Sequence, residues 1–193
     1  MVNLSIKPTI VGELVILRPF EAADFPYIEE FLKDSEVTKL MGYSNYFNEE
    51  AVLYWYNTRN NQIDRLDLAI VEKSLNILIG EAVINLYDDQ KQSMNFTIRI
   101  GPRGRNQGLG SEATQLMINH VFRFTRLKQI TLSVLSFNPR AKKVFENAGF
   151  VLESVDKNAL EYEGEWVDSI NMVLTRAEWS RRTKWINSSI ATL

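Results

Sequence analysis

The chain contains no cysteine, and that absence alone removes disulfides, thiolate metal sites and any mechanism carried by a cysteine nucleophile. It has a single histidine, His120, so multi-histidine zinc centres are excluded and a serine–histidine triad would depend on that one ring. No metal site is expected. Long apolar runs are missing too: aliphatic stretches such as Leu14–Leu17 end after four or five residues, and the N-terminus lacks the apolar segment of a signal peptide. Neither sign of charge is in excess. With 22 Lys and Arg against 24 Asp and Glu, the net charge of −2 gives no field for holding a nucleic-acid backbone. The expectation is a cytoplasmic protein that engages neither membrane nor nucleic acid.

What is present suits one folded domain. The chain has 193 residues, 45% of them hydrophobic, a length at which about 70% of the unfolded surface is buried on folding. Leu14–Arg18 reads as a first strand ending at Pro19. The stretch from Glu21 to Lys33 then spaces Phe25, Ile28, Phe31 and Leu32 as a helix does, with Asp24 as its cap. A second helix is predicted after Asn48, beyond the polar aromatic loop 42–46. Three strands follow, Leu66–Glu72, Ile77–Leu86 and Met94–Ile100, joined by turn-rich links that suit antiparallel pairing.

After Ile100 helix and strand alternate. Leu109, Ala113, Leu116, Met117, His120, Val121 and Phe124 mark the inner face of a helix, and Ile130–Leu135 reads as a buried strand. Asn138 and Pro139 open another helix that stops at Gly149. Phe150–Val155 and Val167–Leu174 are the last strands. His120 reads as a half-buried packing residue rather than a catalyst. The sum is an α+β (mixed α/β) domain over residues 1–180, followed by a helical or extended C-terminal extension, 181–193.

The informative feature is the glycine-rich turn 101–113, GPRGRNQGLGSEA. Gly108, Gly110 and Ala113 satisfy the dinucleotide fingerprint G-x-G-x-x-A, but Ile100 ends too far upstream and no acidic residue waits about 20 positions later. A phosphate loop is excluded, since no Gly-Lys-Ser/Thr occurs. The shared physics still applies. Glycines let a backbone approach a ligand closely, and the free N–H groups and dipole at a helix start favour an anion such as a pyrophosphate. Arg103 and Arg105 can add charge-assisted contacts.

Arg105-Asn106-Gln107-Gly108-Leu109-Gly110 resembles the R/Q-x-x-G-x-G/A signature of the GNAT superfamily of N-acetyltransferases, and it lies between a strand and a long helix as that signature does. Asn138-Pro139-Arg140-Ala141 with Phe145-Glu146-Asn147-Ala148-Gly149-Phe150 resembles the family's segment after its fifth strand. Gly164-Glu165-Trp166-Val167-Asp168 and the run LRPF at 17–20 resemble the branch that acetylates ribosomal-protein N-termini, the RimJ/RimL-like branch. The resemblance implies a GNAT-type fold: a central mixed sheet of six to seven strands, flanked by about four helices, with a splay between its fourth and fifth strands.

It also implies acetyl-CoA as cosubstrate, bound by the strand backbone at Ile98 and Ile100, by Arg103 and Arg105, and by the amides of Gln107, Gly108, Leu109, Gly110 and Ser111. Asn138 and Phe145 would complete the cofactor site, although Asn138 is equally suited to capping its helix. Tyr43 and Tyr46 would line the acceptor pocket. The implied reaction is direct attack by a primary amine of a small molecule or a protein N-terminus. At the positions where the family often carries acid and base groups, this chain has Asn95, Ala141 and Phe145. Asn95, at the family's catalytic position on the fourth strand, cannot accept a proton at neutral pH, so Glu81, Asp88 and Asp168 are the candidate bases. The absence of those groups keeps a second reading open, a catalytically weak acyl-CoA-binding regulatory module. The glycine fingerprint leaves a third, a nucleotide-dependent oxidoreductase. A homodimer is left open.

Overall fold

The computed structural model describes residues 2–41 and 49–190. Eight strands form one sheet in the order β1-β2-β3-β4-β5-β6-β8-β7. They are β1 (Ile10–Val11), β2 (Val15–Arg18), β3 (Leu66–Glu72), β4 (Ile77–Asp88), β5 (Ser93–Ile100), β6 (Gln129–Leu135), β7 (Val151–Tyr162) and β8 (Glu165–Thr175). Among the described residues six α-helices accompany them: α1 (Phe25–Lys33), α2 (Ser35–Met41), α3 (Glu49–Arg59), α4 (Leu109–Phe124), α5 (Pro139–Ala148) and α6 (Arg176–Ile190). The mixed α+β architecture matches the expectation, with eight strands in place of six to seven and six helices in place of about four; β1 and α2 are new, and α6 begins ahead of the expected extension at 181. The added strand, β1, is two residues long. The added helix, α2, starts where Asp34 Oδ1 accepts the Val37 amide at 2.9 Å, an N-cap of the usual kind.

Every strand pair but one is antiparallel, and the exception, β5 with β6, positions the site. Those two strands pair only through Ser93↔Gln129, Met94↔Ile130 and Asn95↔Thr131. Beyond that point β5 keeps its register with β4 up to Gly80↔Ile100, while β6 stays with β8 to its end at Leu135↔Ser169. The sheet therefore opens between residues 96–100 and 132–135. Main-chain groups of β5 that point away from β4 have no strand to bond there, a ready template for an extended ligand.

Alternation along the strands sorts side chains onto two faces. On one, Leu68, Ile70, Ile84, Met94 and Phe96 pack with Ala113, Met117 and Val121 of α4 and Phe145 of α5. On the other, Ala69, Val71 and Leu78 pack with Ile28 and Phe31 of α1, Val37 of α2 and Tyr56 of α3. The buried stripe of α4 runs through Thr114, Ile118 and Phe122 as well, so the helix is turned from the predicted face and Phe124 is left 75% exposed. The Arg176 guanidinium donates to Phe122 O at the end of α4 and to Thr125 O and Leu127 O just beyond it, at 2.6–2.8 Å. Trp179 of α6 stacks on Phe122 at 5.2 Å and donates to Asn119 Oδ1 at 2.8 Å. At the other end of α4, the Glu112 carboxylate accepts the amides of Glu13, Leu14 and Val15 at 2.6–2.8 Å and ties the helix to β2.

Asp24 does not cap α1 with its side chain. Its carboxylate is taken by Arg18, at 2.7 Å through both oxygens, and by the Glu21 amide at 2.8 Å. Among the described residues, no helix is long and apolar enough to cross a membrane.

Candidate active site

A cavity of about 290 Å³ lies where the sheet opens. Its walls come from Ile98, Arg99 and Ile100 of β5, from the glycine turn at Gly104, Arg105, Asn106, Gly108, Gly110 and Ser111, and from Asn138, Arg140, Ala141, Val144 and Phe145 at the start of α5. Val37, Leu40 and Met41 of α2 complete it. Three separate sequence segments, each implied as cofactor-binding, thus meet at one opening.

The local causes are legible. Gly108 sits at φ +79°, a left-handed conformation that ordinary side chains resist, and serves as N-cap of α4. The first amides to find a main-chain carbonyl are Ser111 and Glu112, both on Gly108 O at 3.0–3.1 Å. The amides of Leu109 and Gly110 precede them as free helix-end donors beside a positive dipole end. A Cβ on Gly110 would come within 3.2 Å of the Ile100 side chain, so glycine is what lets the turn lie against β5. The Leu109 side chain is buried in the core, which leaves only its backbone for a ligand.

Asn138 caps α5: its Oδ1 accepts the Ala141 amide at 3.1 Å. The same residue lines the cavity, so capping holds its side chain at the wall. Phe145 packs edge-on to Phe96 and Phe150, with centroids 6.3 and 6.0 Å apart. Arg105 is paired with Asp34, and with Glu36 at 2.8 Å. Burial raises the Asp34 carboxyl, but hydrogen bonds from Arg105 and the Val37 amide outweigh it and hold the group below its ordinary value.

Other predicted residues lie off the cavity wall. Arg103 is paired with Glu30 of α1 at 2.8 Å, and Gln107 is exposed and donates to Arg103 O at 3.0 Å. Glu81 is buried, 1% exposed, on the opposite sheet face, where it accepts from Arg99 and from the Tyr56 hydroxyl at 2.8 Å. It meets the cavity only through Arg99, which sits across from it in the β4–β5 register. Asn95 marks the last rung before the strands part and donates to Thr97 Oγ1 at 3.1 Å. Asp168 lies on the β7–β8 hairpin, bound by Lys157 Nζ at 2.6 Å and the Asn158 amide at 3.1 Å, and these bonds hold its carboxyl below the ordinary value. Tyr43 and Tyr46 lie outside the described residues. His120 stacks on Phe124 at 4.7 Å, and burial lowers its pKa. It stands 12 positions beyond Gly108, about 18 Å along α4.

The sequence reading assigned no part to α2 or Arg140. Apolar residues at 37, 40 and 41 follow Asp34 at helical spacing, a signal that would have placed one face of α2 inward. Arg140 stands within the α5 motif, but nothing local shows that it reaches across to Glu36 at 2.7 Å.

The acetyltransferase (GNAT) domain family model matches residues 15–151. The chain belongs to the GNAT acetyltransferase family. An uncharacterized N-acetyltransferase, YnaD of Bacillus subtilis, is 23% identical over 175 residues, covering 89% of this chain and 99% of the relative. The spermidine N(1)-acetyltransferase of Vibrio cholerae is 24% identical over 170 residues, covering 87% and 96%. A crystal structure of a spermidine N-acetyltransferase from Vibrio cholerae, in complex with CoA and spermine, superposes with a TM-score of 0.79 at 20% identity, covering 87% of this chain and 99% of that one. The chain is an N-acetyltransferase, and acetyl-CoA is its acyl donor. The cavity fits that donor: a gap in the sheet for an extended amide-bearing arm, and a glycine turn with Arg105, beside Arg140 of α5, for phosphates.

Proposed function

We propose that the protein acetylates a primary amine by direct attack on the thioester, with an α-amino group as the favoured acceptor. The observation that carries this reading is the parting of β5 from β6 after Asn95↔Thr131, at the same opening as the glycine turn. When bound, acetyl-CoA supplies the acetyl thioester. In the proposed arrangement the free amides of Leu109 and Gly110, with Arg105, hold its phosphates, and the β5 backbone at Ile98 and Ile100 aligns its amide-bearing arm. A β5 N–H pointing into the gap stabilises the developing oxyanion. One C–N bond forms, the C–S bond breaks, the amine loses a proton and the thiolate takes one up.

The acceptor preference follows from the scarcity of proton-transfer groups. Ala141 and Phe145 line the cavity without a hydroxyl between them. Among the residues considered for proton transfer, Glu81 is held by Arg99 and Tyr56, and Asp168 by Lys157. Glu81, which touches the cavity wall through Arg99, is the one we retain, acting through water. Presenting a neutral amine at pH 7 costs about 4–5 kcal/mol for an alkylammonium of pKa about 10.4, but only about 1 for an α-amine of pKa about 8. A site with so little base chemistry suits the second. The segment Gly164-Glu165-Trp166-Val167-Asp168 supports the ribosomal-protein N-terminal branch, whereas the named Vibrio relative is a spermidine enzyme.

Thiol release from acetyl-CoA, measured with an N-terminal peptide, a free amino acid and spermidine, tests the reading. Faster turnover on the α-amines supports it, and faster turnover on spermidine overturns the acceptor preference. The missing hydroxyls at 141 and 145 favour a second reading, an acyl-CoA-binding module. Cofactor binding with no turnover on any amine would select it.

A further inference from the structure

Of the three arginines on the cavity wall, Arg105 of the glycine turn and Arg140 of α5 share one carboxylate. Glu36 of α2 accepts from Arg105 Nη1 at 2.8 Å through Oε2 and from Arg140 Nη2 at 2.7 Å through Oε1. Arg140 Nη1 also reaches Asn106 Oδ1 at 3.5 Å, and the Arg105 Nε is buried with no hydrogen-bond partner among the described residues. Glu36 and its neighbour Asp34 are not equivalent. Asp34 caps α2 through the Val37 amide and is 20% exposed, whereas the Glu36 side chain is 43% exposed and only spans the two guanidinium groups.

We infer that Arg105 and Arg140 form a paired phosphate site and that Glu36 is a displaceable latch across it, so that a phosphate group of the acyl donor binds by taking the place of the α2 carboxylate. The inference rests on the cofactor reading above and assigns Arg140 and Glu36 a part in it. A phosphate offers more charge and more acceptor oxygens than a carboxylate and matches two forked guanidinium groups better. Exposed ion pairs are weak and yield readily, which makes Glu36 the partner that gives way while Asp34 keeps α2 capped. Val37, Leu40 and Met41 of the same helix wall the cavity.

Calorimetry with coenzyme A and with dephospho-coenzyme A on the wild-type chain, Glu36→Gln, Arg140→Gln and the double variant tests this, with melting curves confirming that each is folded. Glu36→Gln is expected to bind coenzyme A about three- to tenfold more tightly at low salt, with the gain shrinking as salt rises. Arg140→Gln is expected to bind more weakly, and the Glu36→Gln gain is expected to shrink in the double variant, as direct competition requires. An Arg140→Gln loss confined to coenzyme A assigns the pair to the 3′-phosphate, and a loss with both ligands assigns it to the pyrophosphate. Unchanged or weaker binding by Glu36→Gln, or a gain that persists in full without Arg140, overturns the latch while leaving the cofactor reading intact. No heat with the wild-type chain removes the cofactor reading and the latch with it.

Discussion

The two sides of the opened sheet are built from different materials. On the side of α4 and α5 backbone and small residues form much of the wall, namely Gly104, Gly108 and Gly110, the helix-end amides, Ala141 and a capped turn at Asn138, beside Arg105, Arg140 and Phe145. On the opposite face, under α3, polarity comes from long side chains in buried pairs. Arg59 meets Asp67 at 2.5 Å and Arg65 meets it at 2.6 Å, while Glu81 is held between Arg99 and Tyr56. The difference teaches where each function is encoded. An anion site made of main-chain amides needs only glycines and a helix start, which are local in sequence. The buried charge pairs Arg59–Asp67 and Arg99–Glu81 join residues eight and 18 positions apart and owe their state to burial.

The largest expected effect breaks the backbone side. Gly108→Asp puts a side chain at φ +79° and a negative charge at the anion end of α4, so acetyl-CoA binding is expected to fall by more than about a hundredfold while circular dichroism still shows a folded domain. Retained affinity would remove the glycine turn from the site. Next comes the opposite face. Glu81→Gln removes the buried carboxylate that pairs with Arg99 and is expected to lower unfolding free energy by about 3 kcal/mol in denaturant titration. If the two sides act separately, coenzyme A affinity stays near wild type, and a parallel loss of binding would join them.

A smaller effect sharpens the backbone side. Asn138→Ala loses the bond to the Ala141 amide and is expected to cost about 1 kcal/mol of stability. Unchanged coenzyme A affinity would leave Asn138 as a cap alone, and a drop of tenfold or more would give it a cofactor contact. The smallest effect concerns Asp34, whose carboxyl is held below its ordinary value of 3.8. A depressed carboxyl adds stability above that value and loses it as pH falls through the folded value. Asp34→Asn keeps a capping oxygen but not the charge, so its deficit relative to wild type is expected to be present at pH 7 and to fade below about pH 3.8. A deficit independent of pH would mean that shape rather than charge matters there.

Legibility followed the same division. The strands from Leu66 to Ile100, the α4 and α5 helices and the glycine turn could be read because each rests on local periodicity or local backbone demands. Ile98, Ile100, Gly108, Gly110, Ser111, Asn138 and Phe145 were named from motif position, and the fold gathers them around one cavity. The face of α4 was misread at Phe124, because the position of α4 on the sheet is set by Glu112 and Arg176, whose partners lie about 100 and 50 positions away. The Arg105–Glu36–Arg140 bridge escaped for the same reason, since a contact spanning 104 positions leaves no trace in spacing. The pairing of Glu81 is likewise a product of strand register, which places Arg99 opposite it.

The most direct test is a calorimetric titration of the folded 193-residue chain with acetyl-CoA, with NAD(H) in a parallel cell. The geometry predicts saturable 1:1 binding of acetyl-CoA that weakens with rising salt, and no heat from the dinucleotide. Binding of the dinucleotide alone, or no binding of acetyl-CoA, would contradict it.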